Sequence, residues 1–252
     1  MTSAADRAIA RAVLSLADDE LILGHRDSEW TGHAPILEED IAFANLALDE
    51  IGHAQLWYRL AAELLGEDPQ VMPDRWVFFR EPREYRSLRL VELPRGDWAF
   101  TVLRQYLFDA LEKVRLDALA GAREARLRAV SAKIAREESY HMRHSSAWVR
   151  RLGLGTMESR TRMQSALDSI WPHTSQMFLS VFDEAEPGLE RKAILKEAWE
   201  GIVLQHLAGS ALQVPPAAEA RTAEGREVHT SHLKDLVAEM QQVARAEPEA
   251  SW

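Results

Sequence analysis

Residues 46–55, LALDEIGHAQ, and residues 135–144, AREESYHMRH, each set a glutamate three positions before a histidine: Glu50 with His53, and Glu138 with His141. On an α-helix these positions project from one face, so each pair presents a carboxylate and an imidazole to a common point. The flanking sequence favours helix. Between 36 and 65 there is no proline and only Gly52, and Phe43, Leu46, Trp57, Leu60 and Leu64 mark one apolar face. Such a helix spans about 45 Å, and Gly66 supplies a stop.

Upstream, Ile9, Val13, Leu16 and Leu23 recur at helical spacing over 6–26, where Gly24 is expected to loosen the end before a loop at 27–35. Downstream, Pro69, Pro73, Pro82, Pro94 and Gly96 punctuate 67–97, which reads as a connection without long helix. Helical patterning resumes over 98–120, breaks at Gly121, and continues over 124–152 to Gly153 and Gly155. Further helices are expected at 157–182, 189–208 and 229–243, with Pro215 and Pro216 before the last. No alternating strand pattern extends beyond a few residues. The expectation is an all-α chain forming one helical domain over 1–252.

In an antiparallel hairpin, residues equidistant from the turn share a height. Glu20 mirrors Glu50 across Pro35, since 50 − 35 and 35 − 20 are both 15. Asp109 and Glu138 have their midpoint at 123.5, close to the break at Gly121. Each hairpin then offers one acid opposite one Glu-x-x-His pair. Glu112 competes with Asp109 from one turn further along the same face; height favours Asp109. Four carboxylates and two imidazoles from four helices are the ligand plan of ferritin-like di-iron and di-manganese bundles. They suit two divalent first-row ions, iron or manganese. The segment 67–97 gains a reason too, because two such hairpins need one long crossover. Asp49 and Glu137 are expected to face the outer nitrogens of the opposite hairpin's histidines, Asp49 with His141 and Glu137 with His53. His144 is given a solvated or supporting role. Arg80, Arg83, Arg86 and Arg89 are read as a solvated face of the crossover.

Composition sets bounds. The chain has 252 residues, enough for one large core. Hydrophobic residues at 46% and charged residues at 28% exclude wholesale disorder. A formal charge of −10 disfavours nucleic acid, whose phosphates it repels. No apolar run reaches the roughly 18 residues of a membrane span, and residues 1–11 lack a signal-peptide core. The absence of cysteine excludes disulfides, zinc–thiolate sites and thiol catalysis, so a cytoplasmic location is expected.

Residues 16–55 (LADDELILGHRDSEWTGHAPILEEDIAFANLALDEIGHAQ), 104–111 (RQYLFDAL), 136–153 (REESYHMRHSSAWVRRLG), 165–171 (SALDSIW) and 229–240 (HTSHLKDLVAEM) together resemble the PaaC family of phenylacetic acid degradation proteins. These are the C subunits of multicomponent ring 1,2-phenylacetyl-CoA epoxidases, and the resemblance runs from residue 14 to 242. It implies a ferritin-like fold and a place in aerobic phenylacetate breakdown. It implies a complex in which O₂ is activated at a di-iron centre of an A subunit and one oxygen atom is added across the aromatic ring of a CoA thioester. Electrons then come from NADPH through a separate flavin and iron–sulfur reductase, so no flavin or nicotinamide is expected on this chain. The implied partners are the A-type catalytic subunit, a B subunit and the reductase. A homodimer is a further association; nucleic acid and membrane are not expected.

The resemblance also implies a subunit usually described as structural, whose best-known members have lost several metal ligands. Here DEIGH at 49–53 and EESYH at 137–141, with Glu20 and Asp109, resemble the A subunit's ligand stretches instead, as does the 29-residue interval from Asp109 to Glu138. The resemblance thus implies an oxygenase component whose own catalytic part stays open. Two other readings stand beside it: a purely structural partner of the A subunit, and a stand-alone di-iron oxidase or oxygenase.

Overall fold

The first helix, α1 (Ala4–Ser28), begins where Ser3 and Asp6 accept from one another's backbone N–H groups, a capping box. The computed structural model describes residues 2–179, 181–182, 192–216 and 225–250, and among them every regular element is helical. Helix α1 runs straight through Gly24, which corrects the expected loosening there and shortens the loop expected at 27–35. Packing gives the reason. Gly24 lies against α2 (Leu37–Leu65), where a Cβ would stand 2.9 Å from Glu50 Cβ and 3.0 Å from the Ala47 carbonyl oxygen. The missing side chain lets the two helices close on each other at that level. Gly66 ends α2 at φ +73°, the left-handed stop a helix takes most readily at glycine.

The crossover from 67 to 97 holds two short helices, α3 (Met72–Phe78) and α4 (Arg89–Glu92), and a 3₁₀ turn at Pro82–Glu84. Asp97 then caps α5 (Trp98–Leu119) by accepting from the Phe100 N–H at 2.9 Å. Helix α6 (Ala125–Gly153) follows, then α7 (Met157–Ile170). The single helix expected over 157–182 changes to a 3₁₀ stretch at Trp171–Phe178, because Pro172 has no N–H for the α ladder. Among the described residues two more helices follow, α8 (Lys192–Gly209) and α9 (Ser231–Ala246). The expected helix start at 189 lies outside the described residues.

Helices α1 and α2 form one antiparallel hairpin and α5 and α6 the other, with α2 packed on α6. Helices α7 and α8 pack on α5 and α6, and α9 packs on α3. One contiguous apolar core runs from Ile9 to Val237. This is the all-α, ferritin-like arrangement that the patterning predicts, with added C-terminal helices.

Charge ties the crossover to α1. Asp18, Asp19 and Glu20 are consecutive, all buried, and about 100° apart around the helix. Asp18 accepts from the Arg86 N–H at 2.7 Å and the Tyr58 hydroxyl at 2.6 Å, and pairs with the Arg80 guanidinium. Asp19 accepts from the Leu88 N–H at 2.7 Å and Arg226 Nη1 at 2.9 Å. Arg80 is therefore a largely covered ion-pair member, which corrects its reading as a solvated arginine; Arg83 is exposed as expected.

The two interior glycines of the first hairpin separate packing from propensity. Gly24→Ala is expected to destabilise the isolated chain by about 1–3 kcal/mol less any helix-propensity gain. Gly52, which has nothing within 4 Å of a built Cβ, is expected to gain up to about 1 kcal/mol on the same change. Urea denaturation of both variants checks this; equal shifts would remove the close-approach role of Gly24.

Candidate metal centre

Helix α1 supplies Glu20, α2 supplies Glu50 and His53, α5 supplies Asp109, and α6 supplies Glu138 and His141. None of the six exceeds 3% exposure. They gather as two groups, Glu20–Glu50–His53–Glu138 and Glu50–Asp109–His141, in each of which the donor atoms lie within 4.8 Å of one another. Glu50 belongs to both. His141 Nδ1 lies 3.0 Å from Glu138 Oε1 and 3.4 Å from Glu50 Oε1, and His53 Nδ1 lies 3.4 Å from Glu138 Oε1.

Both imidazoles turn Nδ1 inward and Nε2 outward. His53 Nε2 meets Glu137 Oε2 at 2.8 Å, and His141 Nε2 meets Asp49 Oδ2 at 3.2 Å. An ionised carboxylate only accepts, so Nε2 is the donor in both contacts and Nδ1 is the nitrogen directed at the interior.

Glu112 is buried but joins neither group; Arg115 pairs with it and also lies 3.6 Å from Asp19. His144 is not solvated. Its Nε2 sits 2.8 Å from Glu39 of α2, and both side chains are mostly buried, which leaves the supporting role of the two expected for it. Two polar side chains of the site were not anticipated. Gln105 Nε2 donates to Glu50 Oε1 and to Asp109 Oδ1, both at 2.8 Å. The Ser145 hydroxyl donates to Asp109 Oδ2. Gln105 precedes Asp109 by four residues and Ser145 follows His141 by four, so same-face spacing could have found both. A cleft of about 280 Å³ between α5 and α6 reaches Glu138; Leu116, Ala135 and Met142 line it, with Lys113 and Arg143 at its edges.

The donors fit a metal. Both oxygens of Glu20 and of Glu138, Glu50 Oε2, and Nδ1 of both histidines are buried without a hydrogen-bond partner. Buried polar atoms are normally satisfied, so this many orphans in one volume need an explanation. Carboxylate oxygens and imidazole nitrogens together are first-row metal donors.

Electrostatics points the same way. Burial, then the nearby Glu50 and Glu112, pushes Glu20 well up. Burial and Glu138 do the same to Asp109. Burial disfavours charge on His53, but Glu138 and Glu50 outweigh it and raise the ring to about 9. His141 is also raised, with burial again overcome by Glu138 and Asp49. Glu50 moves down, because Glu20 and His141 outweigh its burial. These shifts favour added positive charge in the cluster, which divalent cations would also bring. Beside the cluster, burial lifts Asp27 to about 7 against its partner Arg104, and lifts Glu112 to about 7 against Arg115.

The family described as "Phenylacetic acid catabolic protein" matches residues 1–252. The chain is also similar to the C subunit of the 1,2-phenylacetyl-CoA epoxidase of Escherichia coli (strain K12). The two are 39% identical over 245 residues, which is 95% of this chain and 97% of that protein.

Raised carboxyls favour folding below their ordinary range, and that contribution is lost as pH climbs through the folded value. His53 acts alike, with its contribution full below 6.5 and lost through about 9. Glu50 has the opposite sign and matters only in acid. Metal-free protein is therefore expected to lose stability steadily as pH rises from about 4.5 to about 9. Urea midpoints across that range test it; a rising midpoint would refute the proton placement.

Proposed function

The chain belongs to the family of phenylacetic acid catabolic proteins, and on that premise we propose that it is the C-type subunit of a phenylacetyl-CoA epoxidase complex and carries a di-iron pocket of its own. One observation supports the metal reading above all: the unpartnered donors of Glu20, Glu50, His53, Glu138 and His141 converge in the interior. In this reading Glu20, Glu50, His53 and Glu138 would hold one ion, and Glu50, Asp109 and His141 the other. Asp49 and Glu137 keep the rings turned and raise their basicity. The chemistry an iron pair supplies when bound is the binding and reduction of O₂; manganese suits the same ligands. The chain's own part is to hold charge, exclude water and fix the donors. Electrons are delivered by a separate reductase, without flavin or nicotinamide on this chain.

The cleft beside Glu138 is where an apolar substrate group approaches. A dry cavity of about 150 Å³ already holds benzene, and this one measures about 280 Å³. A partner surface lies elsewhere. Leu37, Ile41, Leu48 and Ile51 form an exposed apolar stripe on α2, flanked by Tyr140 of α6. Monomeric proteins rarely leave such a stripe open. The Escherichia coli relative is by its name one part of an assembly, and we assign this stripe to an A-type subunit, with the B subunit and reductase elsewhere on the complex. No described helix is long and apolar enough to cross a membrane, and the proposed place of action is the cytoplasm.

Protein expressed in iron-rich medium is expected to carry about two equivalents of metal, and the Glu50→Ala/His53→Ala variant almost none. An unloaded wild type would leave the structural-partner reading. Loading apo-protein near pH 7 is expected to release protons, read with a pH indicator. Ile41→Asp with Leu48→Asp is expected to abolish co-elution with the A-type subunit while metal content holds. Unimpaired co-elution would place the interface elsewhere.

A further inference from the structure

The two donor groups are not equivalent before any metal arrives. In the first, both oxygens of Glu20, both oxygens of Glu138, Glu50 Oε2 and His53 Nδ1 have no hydrogen-bond partner. In the second, protein donors already engage three of the carboxylate oxygens. Gln105 Nε2 donates to Glu50 Oε1 and to Asp109 Oδ1 at 2.8 Å, and Ser145 donates to Asp109 Oδ2. His141 Nδ1 is unengaged there, with the unpartnered Glu138 Oε1 3.0 Å from it. Gln105 is fully buried, and its own Oε1 has no partner, so the side chain is held by its N–H bonds alone.

An amide nitrogen has two hydrogens, each carrying partial positive charge. Here they face two carboxylates that would otherwise share a cation. We infer that Gln105 stands in for the second metal ion: the Glu20–Glu50–His53–Glu138 position fills first and tightly, and the Glu50–Asp109–His141 position fills second and more weakly because its ion must displace the Gln105 amide. The unpartnered donors gain most from a cation, since each is desolvated without compensation. The engaged donors gain less, since part of their compensation is lost on exchange. Half-loaded protein with one ion is then a populated state, and Gln105 sets how far apart the two steps lie. The inference rests on the proposed metal reading and adds the order of filling and the residue that sets it.

The test uses metal-free full-length protein titrated with manganese(II) alone, followed by calorimetry and by the electron paramagnetic resonance of isolated versus coupled ions. Two steps separated by about tenfold or more in Kd are expected. Asp109→Asn should remove the weak step and keep the tight one; His53→Ala should remove the tight one. Gln105→Met, which keeps the side-chain length without the N–H donors, should tighten the second step and bring the two together. Two ions binding with equal affinity, or loss of the tight step in Asp109→Asn, would overturn the order. A weakened second step in Gln105→Met would make the residue a support of Asp109 and overturn its role as a stand-in. No binding at all in folded wild type would instead sink the metal reading itself. Thermal unfolding of each variant confirms that folded protein is compared.

Discussion

A carboxylate in an apolar interior needs positive charge beside it, or it must take up a proton. Among the described residues this chain buries nine: Asp18, Asp19, Glu20, Asp27, Glu50, Glu92, Asp109, Glu112 and Glu138. They divide by how that need is met. Asp18 has Arg80, Asp19 has Arg226, Asp27 has Arg104, Glu112 has Arg115, and Glu92 has His229 at 2.7 Å. Arginine keeps its charge, so on that side of four of these pairs the countercharge is fixed. The remaining four, Glu20, Glu50, Asp109 and Glu138, have no arginine partner. Imidazoles, Gln105, Ser145 and one another's carboxylates face them. The outer acids are tied to charged side-chain partners, and the inner four are those that the proposed metal ions would neutralise.

The outer acids also explain how a long crossover avoids being a loose one. Asp18 and Asp19 accept from crossover N–H groups, Arg26 donates to the Glu92 carbonyl at 2.9 Å, and Arg104 donates to the Leu93 carbonyl at 2.8 Å. Backbone atoms that would have wanted water are satisfied by side chains of α1 and α5. That stitching sets the two hairpins against each other, and the closeness allowed at Gly24 brings α1 and α2 together beside Glu50.

Much of the six-residue grouping was readable because it rests on local geometry. Three-residue spacing aligns Glu50 with His53 and Glu138 with His141, and hairpin symmetry brings Glu20 and Asp109 to their level. The pairs of Asp18 and Asp19 were not readable, because their members lie far apart: 62 residues separate Asp18 from Arg80, and 207 separate Asp19 from Arg226. Each alone looks like an ordinary solvated charge. Gln105 and Ser145 sat on the right faces but carry no residue type that marks a metal site. Gly24 misled for a different reason: glycine ends helices and also lets them touch, and only the neighbouring helix decides between the two. His144 was left between a solvated and a supporting role because its partner Glu39 reaches it from another helix.

Asp49 and Glu137 stand at the boundary between interior and surface. Each braces an inward-facing histidine, yet each side chain keeps more than two fifths of its own surface in water, at 42% and 46%. Both belong to α2 and α6, whose outer sides carry the apolar stripe and Tyr140. A body that settled there and shed that water would strengthen the pull of both carboxylates on the rings behind them. Linkage makes such an influence mutual: whatever fills the core alters, by the same free energy, how firmly the outer face is held. Assembly and cofactor retention would then titrate together, as two readings of one equilibrium.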